Sequence, residues 1–409
     1  MAQHTTCRIC EDVLPEPFLD LGTMPLANAF LSSPAEFSNE KSYPLAVTNC
    51  LRCGLVQLTH VVSAEELYRD YIYVSSTSEA VRTYAKALAE RFIRKLKLNK
   101  THLVVEVGSN DGTVLKAFQK QGIRVLGVEP ARNIAKIAVE GGIPTVNEFF
   151  TADVARSLAK EYGQASVILG RHVFAHIHEV HDFLEGVSRL LDPDGVLLIE
   201  VPYLGDLVDK LEFDTIYHEH LSYFALKPVK VLCERHHLSL GDVERVPLHG
   251  GSILLIIRKA QGSGKETDPL KQMMDEEERH LCDRKKLEQF GEKVFEWKEL
   301  FEEFIDRFTA KGNFLMGYGA AAKANTLLNF VPRSATSMKF ILDKSPHKQG
   351  RYTPGTHIPV VPVEQWQEER ATHILILAWN FQEEIRRQLS PFAARGGRFI
   401  IPIPKPEVV

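Results

Sequence analysis

Two Cys-x-x-Cys pairs, Cys7/Cys10 and Cys50/Cys53, place four of the six cysteines within the first 53 residues, with Cys50 40 positions after Cys10. A tight turn lets each pair grip one metal ion, and four thiolates complete a closed tetrahedral zinc site with no open coordination position. That chemistry predicts a structural Zn2+ ion. Disulfides or unliganded thiols are the competing outcomes, and a reducing compartment favours metal. The connectors around the pairs are rich in Pro, Gly and Asn and show little periodicity. Such a small piece buries too little apolar surface to fold unaided, which is where a metal staple helps. Cys233 and Cys282 stand alone.

With 409 residues the chain exceeds what one hydrophobic core supports, so about two or three domains are expected. Lys plus Arg number 49 against 53 for Asp plus Glu, a net charge of -4 that gives no global reason to bind nucleic acid. An anionic ligand must therefore be met locally. The start, MAQHTTCRIC, lacks the basic and apolar parts of a signal peptide, and no apolar run approaches the ~18 residues of a membrane span. These features predict a cytoplasmic protein without membrane contact; a monomer or small homo-oligomer is the expectation, and nothing in the sequence selects between them.

From about residue 80 to 260, short β-branched runs alternate with helical segments: LVVEVG, VLGVEP, SVILGRHVF, GVLLIEVP and SILLIIR. That rhythm predicts an α/β unit with a largely parallel sheet covered by helices. Residues 263–311 read as a charged helical connector, with Phe290, Val294, Trp297, Phe301, Phe304 and Phe308 forming one apolar stripe suited to packing between domains. Strand rhythm then returns in FLMGYG, MKFILD, HILILAWN and RFIIPIP, predicting a second α/β unit over 312–409.

The first unit contains VVEVGSNDGTVL. Glu106 lies in a strand ending at Gly108, and Asp111 and Gly112 fall where a helix would begin. Glycine lets a small cofactor approach the backbone, and the helix start offers free N–H groups. Neither a GxGxxG spacing nor a Walker lysine is present, which favours a cofactor without phosphate. Glu129 ends the next strand 21 positions after Gly108, where a carboxylate can hold ribose hydroxyls. The pattern E-x-G-x-x-x-G with an acidic strand end and ILGRHVFAHI resembles the S-adenosylmethionine site of class I methyltransferases; a generic Rossmann turn is the alternative. The resemblance implies a Rossmann-like domain at 76–262. Glu106 and Gly108 would lie near the methionine part, with Asn110 and Asp111 completing the loop. Glu129 would hold the ribose, and Asn147 falls where adenine is usually contacted.

Further along, TIYHEHLSYF (215–224) crowds titratable groups against aromatics, and LHGGS follows at 248–252. Paired CxxC motifs, a methyl-donor loop, YHEH and LHGGS in this order resemble the zinc-containing sugar C-methyltransferases, which methylate C-3 of 4-keto-6-deoxy nucleotide sugars. Carbon methylation needs a base, an oxyanion partner and an electrophilic methyl group brought together, because the C–H beside a ketone is lost as an enolate. The resemblance implies Tyr217, Glu219 and His220 as the catalytic cluster, with His220 as base and Tyr217 as donor to the enolate oxygen. Glu219 would orient His220 or bind a sugar hydroxyl, and His218 would be structural. It also implies Tyr71 and Ser75, in YIYVSS, and His176 as sugar contacts. His172 stands where a small amide is expected, which puts a cofactor contact there in doubt, and His249 is either a pocket wall or part of a tight turn. The resemblance implies a zinc domain at 1–75 and a nucleotide-sugar-binding role for 312–409. There Lys323 and helix-start amides would meet the diphosphate, with Asn325 and Asn380 as further polar contacts.

The rival reading is an NAD-dependent sugar-nucleotide oxidoreductase. Gly317 and Gly319 sit at a strand-to-helix turn and Asp343 follows 24 positions after Gly319, but Ala322 fills the third glycine position.

Overall fold

The computed structural model describes residues 2–409 apart from 70, 247–250, 263–264, 282, 311–314 and 369–371, so His249 and Cys282 lie outside the described residues. The N-terminal unit is a small antiparallel sheet of β1 (Leu19–Pro25), β2 (Ser42–Asn49) and β3 (Val56–Leu58). A fourth strand comes from far along the chain: Ser222–Tyr223 pairs with β3, opposing Gln57 and Val56. The end of the TIYHEHLSYF segment is thus built into the N-terminal sheet.

Helix α1 (Glu79–Leu96) is capped by the Ser78 side chain, which accepts from the Val81 amide, and stops at Lys97 in the left-handed region. Its buried face, Val81, Ala85, Leu88, Ala89 and Phe92, repeats at helical spacing and packs on the central sheet. That sheet contains β4 (Leu103–Val107), β5 (Arg124–Val128), β6 (Thr145–Val146), β7 (Ala165–Arg171), β8 (Leu191–Pro202), β9 (Leu238–Val246) and β10 (Ser252–Lys259). The spatial order is β9-β10-β8-β7-β4-β5-β6. Strands β4 to β8 run parallel, and β10 enters antiparallel between β8 and β9. Every residue of β4 is buried, because helices cover both faces of a parallel sheet. The chain order reverses at β4 and β7, so the crevice for a ligand opens at their carboxyl ends, where α2 (Thr113–Gln119) begins.

The connector is chiefly α3 (Arg284–Thr309), whose stripe residues Phe290, Val294, Trp297, Phe301 and Phe308 are buried. A Cβ at Gly291 would lie 2.3 Å from the Phe18 carbonyl oxygen, which shows how closely this helix meets the N-terminal unit. Trp297 donates Nε1–H to the Pro402 carbonyl at 2.9 Å, tying the same helix to the C-terminal unit. The stripe therefore packs domains together. The C-terminal sheet consists of β11 (Leu315–Tyr318), β12 (Met338–Leu342), β13 (Val360–Val361), β14 (His373–Ile376), β15 (Arg398–Ile401) and β16 (Glu407–Val408). Its order is β13-β12-β11-β14-β15-β16, parallel except for the last strand, and α4 (Ala322–Phe330) follows β11. The expected architecture of two α/β units, a helical connector and a small N-terminal domain is the one observed. Among the described residues, no helix is long and apolar enough to cross a membrane.

Candidate active site

All four paired cysteines are buried, and their sulfur atoms lie within 4.8 Å of one another. The Cys7–Cys53 and Cys10–Cys50 sulfurs are 3.4 and 3.3 Å apart, much farther than the ~2.05 Å of a disulfide bond. Four converging thiol groups fit one tetrahedral zinc ion with every position filled by protein.

At the carboxyl end of β4, Gly108 adopts φ +64°, and a Cβ there would meet Val173 at 2.8 Å. The chain then turns through Asn110, which has φ 51°. Glu129 fixes this turn: its two carboxylate oxygens accept the Asn110 amide at 2.8 Å and the Ala131 amide at 2.9 Å. Each oxygen keeps a lone pair, so a ribose hydroxyl can still be accepted. Asn147 donates to the carbonyls of Glu129 and Pro130, so its amide nitrogen braces the acidic turn. Glu106 is buried, and its Oε2 has no hydrogen-bond partner among the described residues. Burial pushes its carboxyl up to about 8. A cationic amino-acid head group would satisfy that oxygen, so the residues present fit S-adenosylmethionine.

The YIYVSS segment lies across this loop. Ser75 donates its amide to Asn110 Oδ1 at 2.8 Å, Ser76 to Asp111 Oδ2 at 3.0 Å, and Asn110 Nδ2 donates to the Tyr73 carbonyl. Ser75 is thus joined to the glycine loop through its backbone. Tyr71 reaches the other way, donating its hydroxyl to Glu219 at 3.0 Å.

Tyr217 and His220 form a short pair, with 2.8 Å between the phenol oxygen and Nε2. His220 Nδ1 lies 2.9 Å from the Thr215 carbonyl, which can only accept. The proton of the neutral ring therefore resides on Nδ1 and the lone pair on Nε2, towards Tyr217. Burial pushes the His220 imidazole down to about 4 and raises the Tyr217 phenol well above its ordinary range, so the pair consists of a free base and a protonated donor. His176 packs edge-on against His220 with ring centres 4.9 Å apart. Tyr68 fixes it: the phenol donates to the Glu219 carbonyl at 2.8 Å and accepts from His176 Nδ1 at 3.0 Å.

Glu219 does not orient His220. Its carboxylate accepts from Asn28 at 2.7 Å and from Tyr71, and burial pushes it up to about 7. His218 is buried, with Nε2 on the Tyr43 carbonyl, the structural position expected. His172 contacts the buried Glu200 at 2.9 Å; Glu200 also accepts from Arg171 and Tyr84.

A cleft of about 350 Å³ is lined by Asn28, Tyr71 and Glu219 together with His347 and Arg351 of the C-terminal unit, and it meets the cluster at Glu219 and Tyr71; Tyr217, His220 and His176 are not in its lining. Lys323, Asn325 and Asn380 are absent from its lining. The Lys323 ammonium is 4.0 Å from the centre of the Trp379 ring and faces Asp214 and Glu212. Asn325 is buried and donates to the Ala27 carbonyl at 2.6 Å, and Asn380 Oδ1 is buried without a partner among the described residues. Sequence reasoning missed Asn28, Tyr68, Lys348 and Arg351. Lys348 is held by the Ala320 carbonyl at 2.7 Å, with Asp343 and Glu219 as its nearby charges. No local motif marks these positions.

The strand order and the glycine-acid loop define an S-adenosylmethionine-dependent methyltransferase. Residues 78–240 match a "Methyltransferase domain", 7–68 a "zinc binding domain" and 247–404 a "C-methyltransferase C-terminal domain". C-methyltransferase NovU of Streptomyces niveus is 36% identical over 407 residues, 98% of this chain and 96% of that one. The chain belongs to this family of zinc-containing C-methyltransferases. An uncharacterized methyltransferase of Alkaliphilus oremlandii is 25% identical over 127 residues, 29% of this chain and 57% of that protein. Among solved structures, the PH0226 protein of Pyrococcus horikoshii covers 46% of this chain and 94% of its own, at 15% identity and a TM-score of 0.37. The match over 247–404 places the second glycine loop in a methyltransferase family and not with the oxidoreductases. In that loop, Asp343 accepts from the Ala320 and Ser345 amides at 2.8 Å each.

Proposed function

We propose that this enzyme methylates C-3 of a nucleotide-linked 4-keto-6-deoxysugar through an enolate, in branched deoxysugar biosynthesis. The observation that carries this reading is the Tyr217–His220 pair, whose Nδ1–H is fixed by Thr215 and whose lone pair points to a phenol. When substrate arrives, Tyr217 turns its O–H from Nε2 to the ketone oxygen, and the freed Nε2 takes the C-3 proton. Electrons of the broken C–H bond move onto the ketone oxygen, where the phenol stabilises them. Bound S-adenosylmethionine supplies an electrophilic methyl group on sulfur. Glu219, held by Asn28 and Tyr71, accepts a sugar hydroxyl. The four cysteines hold a structural zinc ion.

Deuterium wash-in at C-3 of a 4-keto-6-deoxy nucleotide sugar, read by mass spectrometry, tests the first half. Exchange without the methyl donor, and one added methyl mass with it, is expected. Absence of both with thymidine- and guanosine-linked sugars would exclude this substrate class.

The exchange rate should be nearly flat from about pH 8 to about pH 5.5 and fall below that. Only unprotonated Nε2 can accept a carbon-bound proton, and burial keeps it unprotonated until pH approaches about 4. A limb near the ordinary 6.5 would instead indicate a solvated imidazole as base. Glu219→Gln should leave the limb in place.

Arg351, a cation that lines the cleft beside His347, is assigned to the diphosphate. Arg351→Ala is expected to raise KM for the nucleotide sugar by roughly 10- to 100-fold, the equivalent of one charge-assisted hydrogen bond, and to leave methyl-donor affinity unchanged. Steady-state kinetics with a calorimetric titration of the donor would check it; an unchanged KM removes Arg351 from the phosphate site.

A further inference from the structure

The support behind His220 comes from another domain. Its Nδ1 is held by the carbonyl of Thr215, the last residue of the 3-10 turn Phe213–Thr215. Much of what packs this turn belongs to the connector and the C-terminal unit. The Phe213 ring lies 4.8 Å from Trp297 of α3 and 5.4 Å from Phe330 of α4. Asp214 is fully buried, and its carboxylate accepts the Trp379 indole N–H at 2.7 Å. Lys323 adds its ammonium above the same indole ring, facing Asp214 and Glu212. Thr215 closes the turn on itself, its hydroxyl donating to the Glu212 carbonyl at 2.7 Å. An isolated 3-10 turn is a weak element, so these contacts set where its carbonyls point.

We propose that Asp214 and Trp379 are positioning residues: by clamping this turn to the C-terminal domain they hold the Thr215 carbonyl on Nδ1 of His220 and keep Nε2 as the open lone pair. The inference rests on the reading of His220 as the base. A carbonyl displaced from Nδ1 no longer selects the tautomer, and a fraction of imidazoles then presents N–H where the C-3 proton must go. Neither residue touches the sugar in this scheme, so kcat is affected and substrate binding is spared.

The test compares Trp379→Phe, Asp214→Ala and Asp214→Asn in the full-length zinc-loaded protein. Trp379→Phe keeps the ring but removes the donor. Asparagine at 214 keeps an oxygen that can accept the indole N–H, whereas alanine does not. Trp379→Phe and Asp214→Ala should lower kcat for C-3 exchange by roughly 10- to 100-fold with KM values unchanged, the scale expected of a slightly misplaced catalytic group. Asp214→Asn should stay within about fivefold of wild type by the same reasoning. Long-range 1H–15N spectra of the ligand-free protein with labelled histidine, assigned by the signal lost in His220→Asn, read the tautomer directly. They should show a single Nδ1–H form in wild type and Asp214→Asn and a mixture in the other two. Unchanged spectra in Trp379→Phe, whatever its kcat, would overturn the proposal. So would an Asp214→Asn loss equal to that of alanine, since the charge facing Lys323 would then be responsible. If Trp379→Phe does not fold, the two Asp214 variants carry the same contrast. Normal exchange in His220→Asn sinks the base assignment itself, an outcome distinct from the tautomer result.

Discussion

His220→Asn is expected to lower deuterium exchange at C-3 by about 10²–10⁴-fold while leaving S-adenosylmethionine affinity unchanged. The asparagine amide is of similar bulk and can still donate to the Thr215 carbonyl, but it has no lone pair basic enough to take a proton from carbon. The cofactor loop should be unaffected, because it is bolted to the YIYVSS segment by Asn110 and Asp111 and not to His220. Retained exchange would move the base role elsewhere, with His176 the nearest imidazole, 4.9 Å away ring to ring. The measurement is wash-in by mass spectrometry with a donor titration by calorimetry.

Cys50→Ser should have the largest effect on stability. With the metal cage broken, zinc content is expected to fall from about one ion per chain to near zero. The melting temperature should drop by more than about 10 °C, since structural zinc sites contribute several kcal/mol to folding. The damage should reach catalysis. Cys50 stands at the turn between β2 and β3, β3 pairs with Ser222–Tyr223, and the Leu58 amide donates to the Leu221 carbonyl at 3.1 Å. Loss of that sheet frees the chain immediately after His220, so exchange at C-3 should fall even with saturating donor. Metal analysis and a thermal melt check the first part, and wash-in the second. A zinc-free variant that melts with the wild type would show that the N-terminal sheet stands without metal.

The parts of the site that were legible share one property: their partners are close in sequence or their chemistry forces the spacing. The Cys-x-x-Cys turns, the glycine loop with Glu129, and the Tyr217-His220 pair are all of this kind. His220 finds both its partners within five positions, at Tyr217 and Thr215. Roles that depended on packing were read less well. Glu219 sits next to His220 in sequence yet turns to Asn28, 191 positions away, because Tyr217 to His220 form a tight turn closed by the His220 amide on the Tyr217 carbonyl at 2.9 Å, and neighbouring side chains of a turn leave in different directions. Lys323, which the resemblance assigns to the diphosphate, packs over Trp379 and faces Asp214 and Glu212, surroundings that come from distant parts of the chain and supply the opposite charge a buried ammonium ion needs.

The sequence by itself determined the element types, the convergence of the paired cysteines, the glycine turn at the end of a strand and the closeness of Tyr217 to His220, because periodicity and short spacings are properties of short stretches. Tertiary structure alone decided what surrounds that pair. The Ser222–Tyr223 strand joined the N-terminal sheet, Tyr68 reached His176 across 108 positions and Glu219 across 151, and Trp379 clamped Asp214 across 165. Such long-range hydrogen bonds leave no periodic trace, since each is selected by the way three domains close on α3 and not by its neighbours in the chain.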